Sequence, residues 1–186
     1  LFNLSGIGFL GTRTNAVITM SDNDVGLQFA TNAFVVPEGV PNAQLTVVRV
    51  GATAPAVAIE FATSDGSAAA GTDYVNQSGV LSFASGEITK TFIISILNDS
   101  TVETDETVNI TLDLPTGGAI KGTPSAATLT ILNDDTDVEF SAPTSSVQEN
   151  AVIAVVPVRR SGGLTNSFNV SYTTGDGTAI AGTDYR

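Results

Sequence analysis

The sequence predicts an all-β chain, an immunoglobulin-like antiparallel β-sandwich of about seven strands, arranged in tandem repeats. Three observations predict it. Apolar residues alternate with polar ones at period two through segments rich in Val, Ile, Thr and Phe. Gly, Pro, Asn and Asp punctuate these segments at the short spacing of a sandwich, and no segment carries a convincing helical period. The chain also repeats itself. A shift of 111 residues places Phe140 on Phe29, Glu149 on Glu38, Arg160 on Arg49 and Asp176-Gly177 on Asp65-Gly66. The same shift places Gly182-Thr183-Asp184-Tyr185 on Gly71-Thr72-Asp73-Tyr74, with no gap needed.

The elements follow in chain order. The first strand is expected over 25–36, with room for a break, and the second over 43–50, where Ala43, Leu45 and Val47 alternate with polar residues. Val57, Ile59 and Phe61 mark a third strand at 56–63, and Leu81 and Phe83 a fourth at 79–84. Phe92, Ile94 and Ile96 mark a fifth at 88–97; Val108, Ile110 and Leu112 a sixth at 107–114; Ala127, Leu129 and Ile131 a seventh at 125–132. The repeat gives the domain plan: residues 1–24 end a preceding repeat, 25–135 form a complete one, and 136–186 begin a following one. The N-terminal piece obeys the same shift, with Gly11-Thr12 on Gly122-Thr123 and Asp24 on Asp135. A unit of this length is too long for one solenoid turn and suits a self-contained domain in an array.

Composition narrows the function. The chain has 186 residues, with Lys+Arg 7 against Asp+Glu 19, a net charge of -12, and neither His, Cys nor Trp. That removes Cys and His nucleophiles, histidine bases, disulfides, haem and iron–sulfur ligation and ordinary zinc sites, so no enzyme is expected. The negative charge argues against nucleic acid and anionic lipid as partners. No apolar run is long enough to span a membrane; the longest, Ala151 to Val156, stops at Pro157. A cysteine-free, acidic, Thr/Ser/Gly-rich chain fits a cell-surface or secreted protein, and the expected location is extracellular.

Strand parity gathers the acid. In a sandwich of alternating strand directions every second connection lies at the same pole. One pole then receives Glu38, Asp73, the segment holding Asn98, Asp99, Glu103, Asp105 and Glu106, and Asn133-Asp134-Asp135; the loops of the other pole hold only Glu87. Carboxylates so gathered repel one another unless a cation, protons or a basic partner compensates. Arg49, Lys90 and Lys121 fall outside those loops, and an all-oxygen donor set of carboxylates, the Asn98 and Asn133 amides and backbone carbonyls suits Ca2+. No EF-hand spacing is present.

Glu38 after an apolar strand, Asp65-Gly66-Ser67-Ala68 with Gly71-Thr72-Asp73-Tyr74, the phrase from Asn98 to Glu106, and the closing Ile131-Leu132-Asn133-Asp134-Asp135 together resemble the Calx-beta domain family. Domains of this family occur as cytosolic calcium sensors of sodium/calcium exchangers and as tandem extracellular modules in adhesion-related proteins. The resemblance implies a calcium cluster of Glu38, Asp73, Asp99, Glu103, Glu106, Asp134 and Asp135, with a main-chain carbonyl from Thr101. Asn98 and Asn133 stand where exchanger sensors usually carry Asp. Two fewer charges imply weaker binding, with a Kd of about 10⁻⁵ to 10⁻³ M.

The remaining singled-out residues have plainer readings. Asp65-Gly66 and Asp176-Gly177 read as turn chemistry, Tyr74 and Tyr185 as core side chains with a bonded hydroxyl, Asp105 as solvent-facing, and Arg159-Arg160 as a solvated strand face. The expected function is a calcium-binding tandem module of a larger adhesion-type protein, with calcium stiffening the inter-domain pole. Its partners would be calcium, neighbouring repeats, and surface proteins or glycans. The alternatives are a calcium-independent spacer and a regulatory sensor in a transporter. Edge strands of 136–186 could also pair with residues 1–24 of a neighbouring molecule.

Overall fold

The computed structural model describes residues 17–20, 23–163, 167 and 169–186. Most of the expected preceding repeat, Asp22 included, lies outside the described residues, and with it the pairing expected of 1–24. Nine strands build the sandwich: β1 (Val25–Phe29), β2 (Ala33–Pro37), β3 (Asn42–Gly51), β4 (Val57–Asp65), β5 (Ser78–Phe83), β6 (Thr89–Ser95), β7 (Glu106–Thr116), β8 (Ala119–Lys121) and β9 (Ala126–Leu132). Two more, β10 (Thr136–Phe140) and β11 (Val158–Gly162), form a separate ribbon. The sandwich sheets run β6-β3-β1-β8 and β2-β9-β7-β4-β5.

The first expected strand does break, and the break changes sheets. β1 pairs antiparallel with β3, whereas β2 pairs parallel with β9. Thr31 folds back on Ala33 at the crossing, where its hydroxyl accepts the Ala33 N–H. Phe29 and Phe34 meet edge to face across the corner, with ring centroids 6.2 Å apart. The region expected to be a loop over 115–124 contains β8, which runs parallel to β1. The sandwich is therefore antiparallel apart from two edge pairings, and both of those come from the divided first strand.

The core follows the period-two pattern. Leu27, Leu45, Val47, Ile59, Ile94, Ile110 and Leu129 are fully enclosed between the sheets, and Phe61 stacks on Phe92 at 4.0 Å between centroids. β10 and β11 pair in the register that the 111-residue shift gives for β1 and β3, Phe140 facing Val158 as Phe29 faces Val47. No second sheet covers this ribbon among the described residues. Phe140 is 61% exposed, whereas Phe29 is 0% exposed.

The solvated basic face expected of Arg159-Arg160 holds for Arg159, which is exposed, and not for Arg160. Arg159 pairs with Glu139 on the adjacent strand, and half-buried Arg160 donates to the Gly163 carbonyl. Arg49, at the equivalent place, likewise donates from Nε to the Ala52 carbonyl at 2.9 Å. In both strands the arginine stands two residues before the terminal glycine and ties its side chain to the carbonyl three residues on, just past the strand end.

Candidate metal centre

The acidic pole is assembled by three pairings. Because β2 and β9 are parallel and Pro37 stands beside Leu132, both strands leave the sheet side by side. Glu38 then follows one and Asn133-Asp134-Asp135 the other, and the Glu38 N–H donates to the Leu132 carbonyl at 2.9 Å. β7 begins at Glu106 opposite Ile131, which sets Glu106 at the same end. Tyr74 bridges to Ile96 and the Leu97 N–H donates to the Asp73 carbonyl at 2.9 Å, which joins the β4–β5 loop to the segment leaving β6.

Tyr74 anchors that loop. It is 0% exposed, and its hydroxyl donates to Asp65 Oδ1 at 2.7 Å. Burial, followed by the Asp65 carboxylate, pushes the Tyr74 hydroxyl up to about 12. Asp65 also accepts the Ala70 N–H at 3.0 Å, and Gly71 turns the chain with a φ of 90°. The same construction recurs at the shifted positions. Tyr185 donates to Asp176 at 2.7 Å, Asp176 accepts the Ala181 N–H, and Gly182 has a φ of 85°. The turn readings of Asp65 and Asp176 and the core reading of Tyr74 thus describe one unit, in which a phenol holds a turn that presents the next acid, Asp73 or Asp184. Tyr185, expected in a core, is only half-buried, because no second sheet covers its part of the chain among the described residues.

Two carboxylate trios result. Oxygens of Glu38, Asp99 and Asp135 lie within 4.8 Å of one another, as do those of Asp73, Glu103 and Glu106. Glu38 is only 7% exposed. Burial raises its carboxyl above the usual range, the Asp99 N–H opposes this by donating to it at 3.0 Å, and the charges of Asp135, Asp99 and Asp134 raise it further. Burial pushes Glu106 up to about 7, helped by a hydrogen bond with Asp73 and the charges of Asp73, Glu103 and Glu38. Burial also raises Asp135, with the charges of Asp134 and Asp99 adding to it. Glu38 contributes to the field at Glu106, so the trios form one electrostatic unit.

The other expected residues take distinct places. Asp134 Oδ2 and Asn98 Oδ1 both come close to Gly39. Asn98 donates to the Asp99 carbonyl at 3.0 Å, and the Thr101 N–H donates to Asp99 Oδ1 at 2.6 Å. Asn133 is occupied locally: its Oδ1 accepts the Asp135 N–H and its Nδ2 donates to the Asp135 carbonyl, an Asx turn that orients Asp135. Asp105 is not merely solvent-facing, since its Oδ1 accepts the Asn133 N–H at 3.1 Å and ties the two acidic segments together.

These donors fit calcium. All are hard oxygens, they come from several loops as the cation's flexible coordination permits, and the buried Oδ2 of Asp135 has no hydrogen-bond partner among the described residues. The ion pairs Lys90–Glu87, Lys121–Asp113 and Arg159–Glu139 use none of the six acids of the trios.

Comparison with known proteins agrees with the fold. The Calx-beta domain family model matches residues 21–135 and 133–186. The sodium/calcium exchanger Calx of Drosophila melanogaster is 32% identical over 167 residues, 89% of this chain and 18% of its own length. Sodium/calcium exchanger 1 of Bos taurus is 30% identical over 188 residues, 90% of this chain and 19% of its own length. The chain thus spans less than a fifth of these relatives. The crystal structure of the apo-form Calx CBD1 domain shares 34% identity at a TM-score of 0.59, covering 61% of this chain and 100% of that one. The crystal structure of calcium binding domain CBD12 of CALX1.1 shares 34% identity at a TM-score of 0.58, covering 62% of this chain and 48% of that one.

These findings correct the expected location. The two relatives above are sodium/calcium exchangers, the branch of the resemblance in which the domains are cytosolic, and this overturns the extracellular reading; the adhesion role attached to it is left without support. The motifs, the two-sheet fold and the family match over both repeats agree, and the chain belongs to the Calx-beta domain family.

Proposed function

We propose that this chain is a calcium-responsive regulatory segment without chemical turnover, in which cation binding at the acidic pole orders the junction between tandem repeats. Residues 25–135 form the complete repeat, 1–24 end the one before it, and 136–186 begin the one after. Glu38, Asp73, Asp99, Glu103, Glu106, Asp134 and Asp135 supply carboxylates, Asn98 an amide oxygen and Thr101 a carbonyl. Asn133 acts by orienting Asp135. The observation that carries this reading is the meeting of two carboxylate trios at one pole, with three of the acids driven toward protonation by burial and by one another. A divalent cation would replace that repulsion with attraction. Asp135 immediately precedes β10, so whatever orders Asp135 also orders the start of the next ribbon.

The test is thermal unfolding in excess chelator and across a calcium titration, with magnesium as control. Binding to the folded state alone stabilises it by about 2.7 kcal/mol at a hundredfold excess over Kd. A saturating, calcium-selective rise that disappears in the Asp134→Asn, Asp135→Asn double variant supports the proposal. No rise up to millimolar calcium leaves the pole as a spacer's solubilising surface.

A further inference from the structure

Gly39 is the one residue at the acidic pole whose role no charge explains. It sits in the turn Pro37–Val40, closed by the Val40 N–H donating to the Pro37 carbonyl at 3.0 Å. Gly51, Gly71, Gly86, Gly117 and Gly118 all have positive φ, which by itself accounts for glycine there. Gly39 is not among the positive-φ residues, so its backbone would accept a side chain. What forbids one is space. A Cβ at this position would lie 2.6 Å from Asp134 Oδ2, and 3.6 Å from both Asp134 Cγ and Asn98 Oδ1.

We propose that Gly39 is a positioning residue of the pole, keeping open the slot in which the Asp134 carboxylate turns in beside Asn98 and toward Glu38. The proposal rests on the calcium reading of this pole. The following repeat shows the alternative within the same chain. The turn recurs there, with the Ala151 N–H donating to the Gln148 carbonyl at 2.9 Å and Glu149 matching Glu38, yet Asn150 stands where Gly39 does. The same turn therefore accommodates a side chain, and glycine in the central repeat answers to what packs over it. Because the obstructing atom is the end of a rotatable side chain, a methyl group at 39 displaces Asp134 at little cost to the fold. It removes a carboxylate from the cation's reach, and affinity in calcium sites follows the number of charged ligands.

The test is a double-mutant cycle on the full chain, comparing wild type, Gly39→Ala, Asp134→Ala and the double variant by calorimetric calcium titration and by unfolding in chelator. The expected result is an unchanged unfolding midpoint in chelator and about tenfold weaker calcium binding for Gly39→Ala, with no further loss when Gly39→Ala is added to Asp134→Ala. Calcium losses that simply add, or an unchanged affinity for Gly39→Ala, overturn the proposal. A crystal structure of Gly39→Ala grown in chelator supplies the readout that needs no calcium. Asp134 Oδ2 displaced from its wild-type place supports the slot even if wild type fails to bind calcium, an outcome that would defeat only the calcium reading; Asp134 unmoved defeats the slot.

Discussion

Glu106 allows the electrostatics of the pole to be tested by one substitution with opposite effects in two states. Its carboxyl is raised from 4.5 to about 7, first by burial and then by Asp73, Glu103 and Glu38. A raised carboxyl means that the folded chain binds the proton more tightly than the unfolded one, so the sign is fixed. Stability is greatest below the unfolded value, falls as pH rises from 4.5 to about 7, and stays reduced above that. The shift corresponds at most to about 3 kcal/mol, and solvent screening of a half-buried group brings it to about 1–2 kcal/mol. Glu106→Gln removes the charge and keeps the shape. In chelator at pH 8 the variant should therefore unfold about 1–2 kcal/mol less readily than wild type, roughly 4–10 °C in a domain of this size, and the gain should vanish near pH 4. In saturating calcium the same variant should be the less stable of the two, because it has lost a ligand charge. Urea unfolding at pH 4, 6 and 8, with chelator and with calcium, reads all of this. A Glu106→Gln chain that is less stable than wild type at pH 8 in chelator would refute the account of the pole as stored repulsion.

Two further predictions concern the scaffold that presents the acids. Tyr74→Phe removes the donor to Asp65 while keeping the ring in the core; it should cost about 1–2 kcal/mol in urea unfolding, and calcium affinity should fall only as far as the Asp73 turn loosens. At Gly66 a Cβ would collide with the Thr107 backbone carbonyl, which cannot rotate away as a side chain can. Gly66→Ala should therefore destabilise by about 2 kcal/mol or more in chelator and in calcium alike, the reverse of the pattern expected for Gly39→Ala.

Much of this arrangement was legible in the sequence because the signals were local or repeated. The core strands announced themselves by alternation, and the 111-residue self-similarity marked Asp65, Asp73 and Tyr74 as recurring positions, though it assigned them separate roles as turn, ligand and core. Parity brought Glu38, Asp73, Asp99, Glu106 and Asp135 to one pole without requiring a single distance. The sheet change inside the first strand left only a weak signal, since a strand that moves from one sheet to the other keeps its period. β8 is three residues long and pairs with a strand distant in sequence, so no local pattern could reveal it. The roles of Asn133, Asp105 and Gly39 were hidden for another reason. Each depends on which neighbour a folded loop brings within hydrogen-bond or van der Waals reach. Location failed because composition reports solubility and redox tolerance, which a cytosolic acidic domain satisfies equally well.

The junction shows how one residue can serve two repeats. Asp24 and Asp135 are equivalent under the shift, and so are their backbone partners. The Ala52 N–H donates to the Asp24 carbonyl at 2.9 Å, and the Gly163 N–H to the Asp135 carbonyl at 2.6 Å. Gly51 and Gly162, with φ of 89° and 85°, leave room for those carbonyls. Asp135 therefore points its side chain into the acidic pole of the central repeat while its main chain forms the first rung of the β10–β11 ribbon. Gly162 also abuts Val102, which lies between Thr101 and Glu103 in the acidic segment. A cation that draws Asp135, Asp99 and Glu103 inward acts on two attachments of the next ribbon at once, and no flexible linker lies between to absorb the change. On the proposed reading, response at a distance needs no separate relay, because the last acid of one repeat is already the first hydrogen-bond acceptor of the next.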